Sequence, residues 1–382
     1  MTRRVVILTE IISPYRIPVF NALAETPGID LHVIFLAETD AAMWQWKVYK
    51  EDIQFSYQVL AHWRRRVSTY NVLLNRGVCA ALAKATPDVV VLGGYSYLAM
   101  WQAQRWARGR KIPVLLWSES NLGDRRKGRR PVEWLKKLFV RSCTGFIVPG
   151  KSAKRYLSSF GIPDRVIFTA PNAVDNEFFA GAARAARTQA AETRAKLGLP
   201  KSYFLFVGRM IPEKGIGILL QAYEKLDAPL RKRVGLVLAG DGPGRAQSVE
   251  DAARIWPGKF VFPGFLQRED LAVLYGLAEA FVFPTFSDPW GLVVNEAMAC
   301  GLPVIATDVA GATTDLVRDG WNGRTVSAGD IDGLVSAMRQ LAQDREGTQR
   351  MARNSLEHIA NFTARTWADG FTRAVMESRL EW

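Results

Sequence analysis

The stretch that decides the fold of this chain is Ser287–Gly301, which reads SDPWGLVVNEAMACG. A short apolar run, Ala280–Phe283, precedes it, and the sequence Gly-Leu-Pro ends it at Pro303. Proline and glycine mark the turn into the apolar segment, so the pattern predicts a buried strand, a turn and then a helix. A strand followed directly by a helix is the repeating unit of parallel α/β sheets.

Two carboxylates frame the predicted start of this helix. Asp288 stands before it, and Glu296, eight residues later, stands inside it. The first N–H groups of a helix have no partner within the helix and lie at the positive end of its dipole, which favours phosphate. The sequence therefore predicts an anionic nucleotide at the helix tip, with the two carboxylates accepting hydrogen bonds from neutral hydroxyl groups. The alternatives are that Asp288 caps the helix and that Glu296 is a surface helix acid.

A second anion site is predicted upstream. The apolar run Tyr203–Val207 is typical of a buried strand, and GRMIPEKG follows it from Gly208 to Gly215. Arg209 can bind two phosphate oxygens at once, and Lys214 adds a point charge five residues later. A solvated loop with two surface cations is the alternative. The helix-tip motif that follows about eighty residues later in the same α/β pattern favours a diphosphate clamp.

Short apolar runs alternate with helical patterns along both halves of the chain. The runs that predict strands are Val5–Thr9, Leu31–Leu36, Asp88–Leu92, Ile112–Trp117, Gly145–Val148 and Val166–Thr169, then Tyr203–Val207, Gly235–Ala239, Lys259–Phe262, Ala280–Phe283, Pro303–Ala306 and Gly323–Val326. We therefore expect an α/β protein of two Rossmann-like, doubly wound parallel-sheet domains that face each other across a cleft. The expected boundaries are 1–175, 176–362 and a terminal helix at 363–382.

The composition is that of an ordinary two-domain protein. The 382 residues fit two domains, and a hydrophobic content of 48% is ample for their cores. No apolar run approaches the ~18 residues that span a bilayer, and the first apolar residues predict a strand rather than a signal peptide. The three cysteines are scattered, which indicates a reduced, cytoplasmic compartment. The three scattered histidines predict no zinc site.

The net charge of +13 is concentrated in one half of the chain. Residues 1–180 hold 26 Lys and Arg against 14 Asp and Glu, whereas residues 181–382 hold 24 against 23. Such asymmetry predicts an anionic partner for the basic half, with nucleic acid, anionic lipid and an anionic substrate as candidates. The sequence contains no compact nucleic-acid recognition motif, so we expect no nucleic acid.

Two basic segments of the N-terminal half could meet a membrane. Arg64–Arg66 lies beside Trp63. The run Arg125–Arg130 precedes apolar residues with helical spacing, which are Val132, Trp134, Leu135, Leu138 and Phe139. Cations next to aromatic residues are typical of an interfacial anchor on anionic lipid, worth about 1 kcal/mol per basic residue near the surface. The alternative is a helix packed on its own sheet, with a solvated basic loop.

Several motifs share a characteristic spacing over the C-terminal half. The main ones are Phe206–Gly215 and Asp288–Ala306, in which the two acids are separated by seven residues. Shorter ones are Pro171–Asp175, Gly240–Gly244 and Asp319–Gly323. Together they resemble the signature of retaining family-4 glycosyltransferases (glycosyl transferases group 1), which have the GT-B fold. The resemblance is strong from about Pro171 to the C-terminus and weaker before it.

The resemblance implies a role for each matching residue of the C-terminal, nucleotide-sugar-binding domain. Arg209 and Lys214 would neutralise the donor diphosphate as the sugar leaves, and Glu296 would accept hydrogen bonds from the ribose. Asp288 stands where glutamate is usual and would accept from the sugar hydroxyls with a side chain one methylene shorter. The remaining donor contacts would come from Gly208, Trp290, Gly291, Leu292, Gly264 and Phe265.

The N-terminal half, the expected acceptor-binding domain, departs from the family. Glu10–Pro18 replaces the usual glycine pair after the first strand, and its Arg16 would face the acceptor. Glu119 stands where family members often carry a histidine, so it could orient or deprotonate the acceptor hydroxyl or serve as a plain hydrogen-bond acceptor. In the family the last helix crosses back onto this domain, and Trp367–Met376 has the apolar spacing to do so.

The resemblance implies a hexosyltransferase that moves a sugar from a UDP- or GDP-sugar to a saccharide or lipid-linked saccharide, with retention of anomeric configuration. Polysaccharide biosynthesis at the cytoplasmic face of the membrane is the expected setting, with the protein peripheral to it. We expect no cofactor and no metal, because helix capping explains the acidic pair Asp330 and Asp332. The alternatives are a nucleotide-sugar epimerase or hydrolase on the same scaffold, and a non-catalytic basic protein that binds nucleic acid or membrane.

Overall fold

The chain forms two compact units in the computed structural model, which describes residues 2–40, 45–67, 70–123 and 130–378. Unit 1 contains the described residues up to 122, residues 130–173 and residues 364–378. Unit 2 contains residues 174–363. The predicted basic membrane segment Arg125–Arg130 lies outside the described residues except for the backbone of Arg130.

Unit 1 is built on a seven-stranded parallel sheet with the order β3-β2-β1-β6-β7-β8-β9, and β4 and β5 form a separate antiparallel hairpin. The strands are β1 (Arg3–Thr9), β2 (Ile29–Phe35), β3 (Ser56–Val59), β4 (His62–Val67), β5 (Tyr70–Asn75), β6 (Val89–Leu92), β7 (Val114–Trp117), β8 (Gly145–Val148) and β9 (Ile167–Thr169). Successive residues of β1 enter opposite cores, with Val6 and Leu8 on one face and Val5 and Ile7 on the other. Strands buried on both faces carry continuous apolar runs, which is why the sequence reveals them.

The helices between these strands cover the two faces of the sheet. They are α1 (Ile17–Ala24), α2 (Val78–Ala85), α3 (Leu98–Arg108), α4 (Arg130–Arg141) and α5 (Lys151–Ser158).

Unit 2 repeats the architecture with a six-stranded parallel sheet in the order β12-β11-β10-β13-β14-β15. Its strands are β10 (Tyr203–Val207), β11 (Gly235–Ala239), β12 (Phe260–Gly264), β13 (Ala280–Phe283), β14 (Val304–Thr307) and β15 (Gly323–Val326). Its helices are α6 (Asn176–Thr188), α7 (Ala190–Leu197), α8 (Ile216–Glu224), α9 (Ala228–Arg233), α10 (Arg245–Ile255), α11 (Arg268–Leu277), α12 (Leu292–Ala299), α13 (Thr313–Leu316), α14 (Ile331–Gln343) and α15 (Arg345–Ile359).

The strand order of unit 2 reverses between β10 and β13. Ligands of open parallel sheets bind beyond the carboxyl ends of the strands at such a reversal, because the following helices leave on opposite faces there. The segment after β10 begins at Gly208, and the segment after β13 leads to Asp288. The topology therefore places both predicted anion-binding motifs at the switch point.

The last helix, α16 (Ala364–Glu377), returns to unit 1 and packs there with Trp367 and Phe371 fully buried. The Trp367 ring lies 5.5 Å from the Trp117 ring, measured between centroids. A Cβ at Gly370 would overlap the Thr169 carbonyl, so glycine allows the helix to approach β9 closely. Of the described helices, none combines the length and apolar character needed to span a bilayer.

The predicted α/β class with two parallel sheets is confirmed, and five strands have the predicted bounds. The sequence does not reveal β3 or the β4–β5 hairpin. Ser56–Val59 is exposed or half-buried, and β4 carries three consecutive arginines, so neither shows an apolar run.

Candidate active site

Lys214 and Asp288 meet at the switch point of unit 2. The Lys214 Nζ atom lies 2.5 Å from Asp288 Oδ2, although the residues are 74 positions apart in the sequence. Both side chains are 16% exposed, so the ion pair is largely shielded from solvent. Arg209 follows Gly208 directly after β10 and is half-buried. The structure therefore brings one cation of the predicted clamp onto the first acid of the helix-tip motif.

Backbone contacts join the loops that carry these two residues. The Glu213 carbonyl accepts hydrogen bonds from the Phe286 amide at 2.7 Å and from Thr285 Oγ1 at 2.9 Å. Gly215 has a φ of +71°, and a Cβ there would overlap the carbonyl oxygen of Pro284. The Lys214 loop and the loop after β13 thus form one hydrogen-bonded unit, which fixes the spacing between lysine and aspartate.

Asp288 does not cap the helix, because α12 begins four residues later, at Leu292. Its Oδ1 atom accepts a hydrogen bond from the Trp290 amide at 3.1 Å, so this predicted donor-binding amide has a partner within the chain. The N-cap position is Gly291, with a φ of +96° that favours glycine. Among the described side chains none caps this helix end, which leaves the amide end of α12 suited to an anion.

Glu296 lies inside α12 and is fully buried, which excludes the surface-acid alternative. The Tyr275 hydroxyl of α11 donates a hydrogen bond of 2.8 Å to its Oε2 atom. A buried carboxylate is costly without such partners. Burial raises the pKa of the nearby Cys300 thiol, and the Glu296 carboxylate raises it further, so the thiol stays protonated. Sequence reasoning missed Tyr275, because no local motif connects α11 to α12.

Glycines line the carboxyl ends of β10, β11 and β12. The Gly240 amide donates to the Gly264 carbonyl at 2.8 Å, and a Cβ at Gly240 would overlap the Gly208 carbonyl. The backbones of three loops can therefore lie close together. Phe265, next in the chain after β12, is 36% exposed. Gly208, Gly264 and Phe265 thus lie along the same edge of the sheet, at the carboxyl ends of β10 and β12.

Glu119 belongs to a second cluster, at the carboxyl edge of the unit 1 sheet. Its Oε1 atom forms an ion pair with Arg16 and accepts a hydrogen bond from Asn172 Nδ2 at 3.0 Å. Arg16 Nη1 donates to Asn172 Oδ1 at 2.9 Å, and the guanidinium lies 4.3 Å from the centre of the Trp117 ring. Asn172 is fully buried. The structure therefore holds the carboxylate in a fixed orientation through Asn172, whose role the sequence did not show.

Arg64, one of the basic residues predicted to meet a membrane, takes part in internal ion pairs. It pairs with Asp40, which is 3% exposed, and lies 3.5 Å from Glu10 Oε1. Burial raises the pKa of Glu10, while a hydrogen bond with Tyr97 and the charge of Arg64 lower it. The ion pairs of Arg64 thus connect the β4–β5 hairpin to Glu10, which directly follows β1, and to Asp40. Its neighbour Trp63 remains 53% exposed.

The acidic pair near α14 has structural partners. Asp330 caps the helix by accepting a hydrogen bond from the Gly333 amide at 2.9 Å. Asp332 forms an ion pair of 2.9 Å with Lys225. Within the described ranges, no group of three or more His, Cys, Asp or Glu side chains could hold a metal ion.

The sequence matches two family models. Residues 189–358 match the model for Glycosyl transferases group 1. Residues 21–178 match the model for Glycosyltransferase Family 4. The two ranges together take in most of the chain and extend over both units.

Curated relatives are similar over part of their length. The chain is 31% identical to the O-antigen chain mannosyltransferase B of Escherichia coli over 184 residues, 47% of this chain and 46% of that protein. It is 35% identical to the D-inositol 3-phosphate glycosyltransferase of Streptomyces coelicolor over 204 residues, 50% of this chain and 44% of that protein. The chain thus spans less than half the length of these relatives.

Solved structures share the fold over nearly the whole chain. Anabaena HepE in complex with UDP superposes with a TM-score of 0.77 at 17% identity, over 98% of this chain and 100% of that chain. Sucrose-phosphate synthase from Thermosynechococcus elongatus gives a TM-score of 0.71 at 20% identity, over 98% of both chains. The fold is the GT-B fold that the sequence predicts.

Proposed function

Because the chain belongs to the glycosyl transferases of group 1 and family 4, we propose that it transfers a hexose from a nucleoside diphosphate sugar to a saccharide acceptor. The observation that carries the proposal is the Lys214–Asp288 pair beside the amide end of α12, with Glu296 buried in the same helix. A cation and a helix N-terminus suit a diphosphate, and a carboxylate in the same helix can accept hydrogen bonds from the ribose of a nucleoside diphosphate.

Unit 2 is the proposed donor-binding domain. Arg209, Lys214 and the amides of Gly291 and Leu292 bind the diphosphate, and Glu296 accepts hydrogen bonds from the ribose. The backbone at Gly264 and Phe265 lies along the same sheet edge and binds the base. HepE was crystallised with UDP on the same fold, which supports a uridine nucleotide as the first donor to test.

The proposed reaction breaks the bond between the anomeric carbon and the diphosphate oxygen and forms one to the acceptor oxygen. Arg209 and Lys214 stabilise the negative charge that develops on the leaving diphosphate. Asp288 is held by Lys214 and the Trp290 amide, and Glu296 is buried against Tyr275, so neither carboxylate is placed as a covalent nucleophile. We therefore propose front-face displacement with retention, in which the leaving phosphate takes the acceptor proton.

Unit 1 is the proposed acceptor-binding domain. Glu119 Oε1 accepts from Arg16 and Asn172, so this carboxylate is held in place to orient an acceptor hydroxyl. The strong positive charge of this half supports an acceptor linked to anionic lipid at the cytoplasmic face of the membrane.

The test is a screen of UDP- and GDP-sugars for thermal stabilisation, because a ligand that binds the native state raises the melting temperature. The stabilising donor is then incubated with and without saccharide acceptors, in EDTA and in magnesium. We expect turnover that depends on the acceptor and is unchanged by chelation. Rapid conversion of the donor alone would instead indicate an epimerase or hydrolase.

A further inference from the structure

Helix α4 carries an apolar surface that the described residues of its own domain leave exposed. Phe139 is fully buried in the unit 1 core, where its ring lies 4.7 Å from that of Trp101 on α3. Val140 is fully buried in the same core. Four further apolar residues of the helix are 44% to 64% exposed, namely Val132, Trp134, Leu135 and Leu138. A helix that packs on a sheet needs one apolar stripe, so this second stripe is surplus to the fold. Large apolar residues that lie exposed together on one helix mark an interaction surface.

A groove between α3 and α4 continues this surface. It has a volume of about 470 Å³, and its lining residues are Leu98, Trp101, Gln102, Gln104, Arg105, Arg108, Leu138 and Ser142. The buried Gln104 side chain donates to the Phe139 carbonyl at 3.1 Å, which locks the two helices together beneath it. Leu98 at its end is 55% exposed. The groove is therefore lined mainly by apolar surface, with Arg105 and Arg108 among its lining residues.

The charged residues around the stripe are almost all positive. Every charged residue of α3 and α4 is basic except Glu133, which lies 3.9 Å from Lys136. Arg105, Arg108 and Lys137 are exposed. A second copy of the same face would be repelled by this charge, and the cores of protein interfaces are depleted of charged residues. Cations beside exposed tryptophan and leucine instead complement anionic lipid headgroups.

We propose that this surface, made of α3, α4 and the groove between them, binds the anionic lipid surface of a membrane. Trp134, Leu135 and Leu138 enter the boundary between headgroups and acyl chains, and Arg105 and Arg108 bind lipid phosphates. The inference deepens the proposed function and rests on it for the lipid-linked acceptor. Helix α3 starts at the carboxyl edge of the unit 1 sheet, so a membrane bound here lies beside the proposed acceptor site.

The test is co-sedimentation of the full chain with vesicles of phosphatidylcholine, with or without about 30 mol % phosphatidylglycerol. We expect binding to the anionic vesicles that weakens with salt. The double variants Trp134→Ser/Leu138→Ser and Arg105→Gln/Arg108→Gln should each reduce it about tenfold or more. Leu197→Ser, at a residue of unit 2 that is 46% exposed, is the matched control and should bind like wild type.

Three outcomes would overturn the proposal. The first is equal binding to both vesicle types, and the second is wild-type binding by both double variants. The third is a change in the oligomeric mass of the double variants, because that would assign the surface to contact with a second copy of the chain. Melting temperature and nucleotide binding are measured on every variant, so that unfolding is recognised. Vesicle binding by a chain that binds no nucleoside diphosphate would refute the proposed function alone.

Discussion

Lys214 Nζ lies 2.5 Å from Asp288 Oδ2, so one residue from each of the two anion-binding motifs holds the other in place. The pair sets a cation at the amide end of α12 and neutralises the carboxylate beside it. Removal of the lysine therefore does two things, because it deletes a phosphate contact and leaves the aspartate charge unopposed next to the diphosphate.

The first prediction concerns the pair itself. Lys214→Ala should lower kcat/KM for sugar transfer by about 10²–10³-fold, since charge on the leaving group loses its partner. Asp288→Asn added to this variant should restore part of the nucleotide affinity, because the repulsion is removed. Lys225→Ala, which breaks the exposed pair with Asp332, is the control and should leave the rate unchanged. A near-normal rate in Lys214→Ala would remove this site assignment.

The second prediction concerns the partner of Glu296. Tyr275→Phe removes the hydroxyl that donates to the buried carboxylate, so unfolding in urea should show a loss of about 1–3 kcal/mol. Nucleotide affinity should fall as well, because the carboxylate loses its orientation. Tyr203→Phe removes a buried hydroxyl bond to the Leu274 carbonyl and serves as the control for stability alone. Equal effects of both variants on nucleotide binding would contradict the proposed role of Tyr275.

The third prediction concerns the start of α12. Gly291→Ala places a Cβ 2.8 Å from the Phe283 ring at a φ of +96°, so it should cost about 1–3 kcal/mol of stability and weaken nucleotide binding. Gly217→Ala, in α8, adds a Cβ that meets no described atom within 4 Å. This control should be neutral or stabilise by up to about 1 kcal/mol. Thermal unfolding and nucleotide titration of both variants check the difference.

The fourth prediction concerns Glu10, whose pKa burial raises above 4.5 in the folded protein. The native state then binds this proton more tightly than the unfolded state, so the contribution of Glu10 to stability falls as pH rises from about 4.5 through the raised pKa. Glu10→Gln should flatten this part of the profile of unfolding free energy against pH. An unchanged slope would show that Glu10 is ionised equally in both states.

Sequence patterns reveal most of the sheet scaffold and individual site residues, but not how those residues pair. Continuous apolar runs identify the buried parallel strands, and glycine, proline and charge mark the loops after them. The contact of Lys214 with Asp288 depends on β10 and β13 being neighbours, which no local pattern encodes. Tyr275 and Asn172 come from distant elements for the same reason. Arg64 belongs to a run of three arginines, yet its ion pair with Asp40 leaves its side chain only 15% exposed.

The most direct measurement compares the dissociation constants of a nucleoside diphosphate and the matching monophosphate, for wild type and for Arg209→Ala/Lys214→Ala, by calorimetry. If the cations and the amide end of α12 bind a diphosphate, the dissociation constant of wild type should be about tenfold or more lower for the diphosphate than for the monophosphate. The variant should lose that preference. The same preference in both proteins would contradict the account.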